Sequence, residues 1–244
     1  FRSNGHSLVD ESTKKAIQAL KENGYEPFIA TGRSPAETRD IMESANIHSG
    51  IFMNGQVVLY QGQLVYSSEI PTETVEKFHQ MVKEDGYGLT AYNDKQFYLV
   101  ASSPGAKDAY GFIHSNPPAL NPDFYKENPI NMMLFISLPP AEEKYKVAFP
   151  NLDFLRNTPY SVDVISKGNS KAEGIKRFLE HLNQEDAKTY AFGDGPNDIE
   201  MLQAVSHPVA MGNALPILKE IAEFITTDNT DNGIVNGLKH YGLI

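Results

Sequence analysis

The sequence contains no cysteine, which excludes disulfide bonds, thiolate catalysis and zinc sites built on cysteine. It also contains no apolar run of about 18–20 residues, the length that a membrane-spanning helix needs. No signal peptide is recognisable in it. These absences favour a cytoplasmic enzyme or binding protein.

Positive charge is scarce as well. The chain has 21 Lys and Arg residues against 31 Asp and Glu residues, for a formal net charge of −10. Proteins that bind nucleic acid usually present a basic face, so we expect no nucleic-acid partner. An anionic substrate would have to be held by cations placed at its site, because the overall field does not attract it.

The first part of the chain alternates helical patterns with short apolar strands. The pattern predicts a helix over residues 12–23 and a strand over 26–30. Ser34-Pro35-Ala36-Glu37 is a capping box that opens a second helix. A strand over 51–53 and a hairpin over 56–66 follow. This order is typical of a parallel sheet in an α/β protein.

The pattern changes after residue 67. The stretch 68–164 combines an amphipathic helix, alternating strands and a segment rich in proline and asparagine, which predicts an inserted α+β domain. Its aromatic residues are expected to pack the core of the insert, although such rings also stack on sugars.

The α/β pattern then resumes with a second capping box, Ser170-Lys171-Ala172-Glu173, which opens a helix that reaches Leu182. Strands are predicted over 188–192 and 209–211. The predicted fold is therefore a Rossmann-like parallel-sheet α/β core, formed by residues 1–67 and 165–244, with an inserted α+β cap over 68–164.

The most informative segment is Gly193-Asp194-Gly195-Pro196-Asn197-Asp198, which directly follows an apolar strand. Such a turn places its polar residues at the carboxyl edge of the sheet, where open α/β folds bind ligands. Two carboxylates and an amide at that edge suggest a hard cation such as Mg²⁺. The alternative is an ordinary turn, with glycine at the bend and Asn or Asp capping the next helix.

Two further turns, Thr31-Gly32-Arg33 and Asn54-Gly55, also follow predicted core strands and should converge on the same edge. Lys171 lies in the first turn of a helix, where a cation opposes the helix dipole. A lysine directed at a phosphate has a reason to lie there, because helix N-termini favour anions. A solvated lysine is the alternative.

With these segments in this order, the chain resembles the haloacid dehalogenase-like phosphohydrolases, specifically the Cof-type branch with a large α+β cap. Ala30-Thr31-Gly32-Arg33 is similar to the second motif of the family, Lys171 to the third, and the segment 193–198 to the fourth. Asn54-Gly55 and the segments 209–214 and 227–233 look like recurrent pieces of the branch.

The first motif of the family, Asp-x-Asp-Gly-Thr, is absent from the sequence. The resemblance places it immediately before Phe1, on the central strand of the core, with the nucleophile and the general acid. A core without that strand would lose ladder hydrogen bonds and expose apolar faces. We therefore expect the sequence, which starts without Met, to begin inside a longer protein.

The resemblance implies an Mg²⁺-dependent phosphatase that acts on small phosphorylated metabolites, sugar phosphates first, through an aspartyl-phosphate. A phosphomutase and a noncatalytic phosphate-binding or regulatory protein are the alternatives, and the oligomeric state stays open. The implied metal ligand is Asp194, and the implied catalytic residues are Lys171, Thr31 and Asp198. The residues implied in substrate binding are Thr31, Gly32, Arg33, Asn54, Gly55, Lys171 and Asn197.

Overall fold

A computed structural model describes residues 9–244, the side chain of Asn157 excepted. The chain separates into two compact units. The first unit contains the described residues up to Thr31, together with Glu37–Tyr66 and Ser170–Ile244, and the second contains Gly32–Ala36 and Ser67–Asn169. Within the described residues, no helix combines the length and apolar character that crossing a membrane requires.

Helices and short strands alternate along the described chain. The strands are β1 (Phe28–Ala30), β2 (Ser49–Phe52), β3 (Val57–Tyr60), β4 (Gln63–Ser67), β5 (Gly88–Tyr92), β6 (Phe97–Ala101), β7 (Met132–Ile136), β8 (Leu152–Thr158), β9 (Ser161–Ser166), β10 (Tyr190–Gly193), β11 (His207–Ala210) and β12 (Phe224–Ile225). The helices are α1 (Glu11–Glu22), α2 (Pro35–Ala45), α3 (Thr72–Asp85), α4 (Ala106–Phe112), α5 (Phe124–Glu127), α6 (Glu142–Ala148), α7 (Lys171–Leu182), α8 (Ile199–Ala204), α9 (Pro216–Ile221) and α10 (Gly233–His240). Two 3₁₀ turns, Met53–Gly55 and Pro196–Asp198, follow β2 and precede α8.

The first unit contains two sheets. In one, β1 runs parallel to β2, and β3 and β4 extend the sheet beyond β2. In the other, β10, β11 and β12 are all parallel, with Gly193 of β10 opposite Ala210 of β11. Parallel pairing of strands that alternate with helices confirms the predicted α/β core.

Two helices of the first unit contact both of its sheets. On α1, Ile17 packs in a cluster with Ile29 of β1, whereas Leu20 packs in a cluster with Phe192 of β10. On α7, Ile175 lies against clusters that contain Ile51 of β2 and residues of β10. Within residues 9–244 no ladder joins the sheets, and β1 and β10 each have a paired strand on one side only.

The second unit is built on a five-stranded antiparallel sheet of order β6-β5-β7-β9-β8. Its main apolar cluster joins α3 to this sheet, and Phe78 of α3 is fully buried there, edge-on to Phe135 of β7. Phe124 and Tyr125 belong to the same cluster and are also buried. Aromatic packing inside the unit is thus extensive, as the sequence predicted.

Two elements, strand β8 and helix α10, were not predicted. In β8, the guanidinium of Arg156 forms an ion pair with Glu142 at 2.6 Å. Helix α10 contains Gly233 and Gly237, which weaken helical propensity. A Cβ at Gly237 would overlap the ring of Phe192, so close packing requires glycine there. The Pro- and Asn-rich segment contains two short helices, α4 and α5.

A buried histidine in the second unit makes stability depend on pH. His79 of α3 is buried, and its Nδ1 lies 3.2 Å from the hydroxyl of Tyr125. Burial, aided by the charge of Lys83, lowers the pKa of His79 below its ordinary value. The native state therefore favours the neutral ring.

We expect the free energy of unfolding to fall as pH drops from about 7.5 to about 5.5, because the unfolded chain binds a proton on His79 near pH 6.5 and the native chain binds it only at lower pH. His79→Gln should flatten this dependence in urea denaturation followed by circular dichroism. The matched control is His181→Gln on the exposed surface of α7. Equal slopes for His79→Gln and the unaltered protein would contradict the assignment.

Candidate active site

The turn after β10 is closed by Asp198. One carboxylate oxygen of Asp198 accepts hydrogen bonds from the backbone N–H groups of Asp194 and Gly195, each at 3.0 Å. A Cβ on Gly193 would lie 2.7 Å from the Cβ of Asp198, so the turn needs glycine at this close approach. The segment 193–198 is therefore a tight loop at the carboxyl end of a core strand, as the sequence predicted.

The other carboxylate oxygen of Asp198 accepts a hydrogen bond from the Nζ of Lys171 at 2.6 Å. Lys171 is the first residue of α7 and is 5% exposed, and Asp198 is 6% exposed. The alternative of a solvated lysine is therefore wrong. Ser170 caps the helix that places Lys171, because its hydroxyl accepts a hydrogen bond from the backbone N–H of Glu173 at 3.3 Å, which is one half of the predicted capping box.

Asp194 presents its carboxylate to the exposed side of the turn. One of its oxygens, Oδ2, accepts from the amide of Asn213 at 2.8 Å, and Oδ1 has no hydrogen-bond partner among the described residues. Asn213 was not predicted as a site residue, although it lies in the recurrent segment 209–214. No group of three or more His, Asp and Glu residues within 9–244 could hold a metal ion. A cation at Asp194 would need further oxygens.

The turn Asn54-Gly55 joins this site from the end of β2. Asn54 is buried in the left-handed conformation, with φ of 54°, and its carbonyl Oδ1 accepts from the amide of Asn197 at 3.0 Å. Gly55 has φ of 95°, and a Cβ there would overlap the carbonyl oxygen of Ser170. The glycine therefore lets this turn pack directly against the N-terminus of α7.

Thr31 is linked to the same turn through its backbone. Its N–H donates to the carbonyl of Ile51 at 2.9 Å, and its carbonyl accepts from the N–H of Asn54 at 3.1 Å. Gly32 and Arg33 follow in sequence but belong to the second unit, and their substrate-binding role stays a prediction. Direct contacts thus connect these predicted site residues of the first unit: Thr31, Asn54, Gly55, Lys171, Asp194, Asn197 and Asp198.

Comparison with known proteins shows which family the chain belongs to. A family model described as haloacid dehalogenase-like hydrolase matches residues 2–238. The Bacillus subtilis (strain 168) protein named "Putative phosphatase YkrA" is 37% identical over 237 residues, which cover 97% of this chain and 92% of YkrA.

Two solved structures have the same fold. A Geobacillus kaustophilus HTA426 protein matches with a TM-score of 0.91 at 33% identity, over 97% of this chain and 93% of its own. The sugar phosphatase BT4131, of subclass IIB, matches with a TM-score of 0.84 at 27% identity, over 99% and 95%.

The chain belongs to the haloacid dehalogenase-like hydrolases. It is a phosphatase of the Cof-type branch of that family, which confirms the resemblance drawn from the order of its motifs.

The packing of Gly55 against Ser170 predicts a steep cost for any side chain at position 55. Gly55→Ala should lower the free energy of unfolding by about 1–3 kcal/mol more than Gly62→Ala, and it should reduce phosphatase activity. Gly62 is the matched control because it also has positive φ, 77°, but has open space around it. Both variants place a Cβ on a left-handed residue, so they share the strain of that conformation. Equal losses in the free energy of unfolding, measured by urea denaturation, would therefore contradict the close-packing argument.

Proposed function

We propose that the protein is an Mg²⁺-dependent phosphatase of small phosphorylated metabolites, sugar phosphates first, and that it works through an aspartyl-phosphate on a residue that precedes Phe1. The observation that carries the proposal is the buried Lys171–Asp198 ion pair beside the exposed carboxylate of Asp194. The sugar phosphatase BT4131, similar over nearly the whole chain, supports the substrate class. A cytoplasmic location, where such metabolites are made, belongs to the same proposal.

The position of the nucleophile is supported by the edges of the two sheets in the first unit. Strands β1 and β10 are each unpaired on one side within residues 9–244, while α1 and α7 contact both sheets. A parallel strand between β1 and β10 would complete one sheet, and parallel strands are normally paired and covered. The carboxyl end of such a strand would lie between Thr31 and Asp194, where a nucleophilic aspartate is needed.

Charge sets the main difficulty for that nucleophile. A carboxylate that approaches a phosphate dianion to ~3.5 Å meets a repulsion of about 5 kcal/mol per charge pair at an effective dielectric of ~20. The ammonium of Lys171 has three donors, of which Asp198 takes one. Asp198 is the one acceptor that the ammonium contacts within residues 9–244, so the other two donors are available to the nucleophile and the phosphoryl oxygens. This is the catalytic role proposed for Lys171.

Asp198 acts through other groups. Its carboxylate accepts hydrogen bonds from Lys171, Asp194 and Gly195, so both of its oxygens are in use. Asp198 is thus suited to position the Lys171 ammonium and to hold the turn closed, and not to take up a proton from the substrate.

The remaining groups would bind the transferred phosphoryl group and its surroundings. The hydroxyl of Thr31 and the N–H of Gly32 are donors suited to phosphoryl oxygens. Asn197, which is held by Asn54, would present its amide to the same group. Arg33 would either contact the phosphate or pair with an acid near α2.

The donor set also fits Mg²⁺, which binds through one or two carboxylates, water and substrate phosphate. Asp194 would hold the ion through Oδ1, which has no hydrogen-bond partner within residues 9–244, and a second carboxylate would come from the segment before Phe1. When bound, the ion supplies positive charge that polarises the phosphoryl group. Because the described residues supply one carboxylate, Mg²⁺ would bind in an open site that water and the substrate phosphate complete.

The test is made on the full-length natural protein with p-nitrophenyl phosphate. Lys171→Ala and Asp194→Asn should each lower kcat/KM by about 100-fold or more. The first removes the ammonium beside the phosphoryl group, and the second removes the carboxylate that holds the metal ion. Lys176→Ala and Asp186→Asn, on exposed surface of the first unit, are the matched controls and should change it less than about two-fold. Full activity in EDTA would contradict the metal assignment.

Two observations separate this function from its alternatives. If the natural polypeptide has no aspartate pair before Phe1, catalysis through an aspartyl-phosphate fails, and Thr31, Lys171 and Asp194 form a phosphate-binding site. If a sugar phosphate is converted to its isomer with no release of inorganic phosphate, the protein is a phosphomutase. We expect the aspartate pair to be present and inorganic phosphate to be released.

A further inference from the structure

Asn213 is the one hydrogen-bond partner of the Asp194 carboxylate among residues 9–244. It lies just after β11, and it contacts the loop 227–233 that follows β12. The established motifs assign no role to Asn213 or to this loop. Hydrogen bonds connect the loop to Asn213 and Asn213 to the carboxylate of Asp194.

Both ends of the Asn213 amide are hydrogen-bonded. Its Nδ2 donates to Oδ2 of Asp194 at 2.8 Å, and its Oδ1 accepts from the backbone N–H of Asn229 at 3.1 Å. Because a backbone N–H is only a donor, the contact with Asn229 fixes which end of the amide faces it. The NH₂ end must therefore face Asp194.

The loop that presents the N–H of Asn229 is itself held in place. The carboxylate of Asp228 accepts from the backbone N–H and the hydroxyl of Thr230, at 3.0 and 2.9 Å. A Cβ on Gly212 would lie 2.6 Å from the backbone nitrogen of Asp228, and one on Gly233 would overlap the carbonyl of Thr227. The backbone at Gly212 therefore packs directly against the loop 227–233, without room for a side-chain atom between them.

Asp194 is held at its backbone as well. Its carbonyl accepts from the N–H of Leu215 at 3.2 Å, and the N–H of Met211 donates to the carbonyl of the preceding residue, Gly193, at 3.0 Å. Because hydrogen bonds hold the backbone on both sides, this exposed carboxylate can move mainly through the side-chain torsions of Asp194. The Asn213 amide restricts them by holding Oδ2.

We propose that Asn213 is a positioning residue, which holds Oδ2 of Asp194 so that Oδ1 faces outward and is ready to bind a divalent cation. The inference rests on the proposed function, because it takes Asp194 as the metal ligand. The loop 227–233 serves it indirectly, by fixing the orientation of the Asn213 amide. Groups that orient a metal-bound carboxylate in this way typically contribute 10- to 100-fold to metal affinity.

The experiment measures metal binding directly, by titration of the full-length protein with Mn²⁺ and detection of free Mn²⁺ by electron paramagnetic resonance. Asn213→Ala should raise the Kd for Mn²⁺ by about 10- to 100-fold. With saturating Mg²⁺, kcat for p-nitrophenyl phosphate should return to within about three-fold of the unaltered enzyme, because the remaining ligands and Lys171 are intact.

Asn236→Ala is the matched control. Asn236 donates to Thr227 and to the carbonyl of Asp231 in the same loop, but it does not contact Asp194. Its removal should lower the melting temperature and leave the Kd for Mn²⁺ within about two-fold, because the N–H of Asn229 that faces Asn213 stays in the turn closed by Asp228 and Thr230. If Asn213→Ala does not fold, Asn213→Ser, which has a shorter side chain, serves in its place.

The Kd values for Mn²⁺ decide whether the inference holds. A Kd that rises only in the Asn213 variant supports the inference. An unchanged Kd in a folded Asn213 variant, or an equal rise in Asn236→Ala, overturns it. Asp194→Asn separates this failure from failure of the proposed function: if the unaltered protein binds no Mn²⁺ that depends on Asp194, the metal assignment itself is wrong.

Discussion

The ion pair between Lys171 and Asp198 is the interaction on which the first unit's site depends. A cation in the first turn of a helix opposes the helix dipole, and burial adds a desolvation cost. The pair is tolerated because Asp198 is itself held by backbone donors and faces the ammonium at 2.6 Å. Removal of either partner would leave a buried, unpaired charge, which typically costs about 3–5 kcal/mol.

Packing around this pair explains why small residues recur near it. Gly55 lets the turn after β2 touch Ser170, at the N-terminus of α7. Gly193 lets the turn after β10 close over Asp198. An added Cβ would push the turn after β2 away from the N-terminus of α7 in the first case, and Gly193 away from the side chain of Asp198 in the second. The glycines of the motifs are therefore explained by close approach as much as by turn geometry.

The two sheets of the first unit relate the fold to the proposed chemistry. Helices α1 and α7 hold β1 and β10 within one unit, although no ladder joins those strands within residues 9–244. A strand that filled this position would complete the sheet and deliver a carboxylate beside Lys171. The same proposed segment would thus supply both ladder hydrogen bonds and the nucleophile.

Local signals in the sequence were sufficient for the α/β pattern, the helix cap at Ser170 and the polar turns that end the core strands, because these features depend on neighbouring residues. Other features depend on residues far apart in the chain. Asn197 and Asn54, which share a hydrogen bond, are 143 positions apart. The hydrogen bond from the Asn213 amide to Asp194 depends on the packing of the loop 227–233. Helix α10 contains two glycines, and Gly237 packs against the distant ring of Phe192. Residue types and local patterns alone indicate which chemical groups follow the core strands. Contacts between segments distant in the chain establish which of these groups are buried, paired or left open, because burial and pairing depend on tertiary packing.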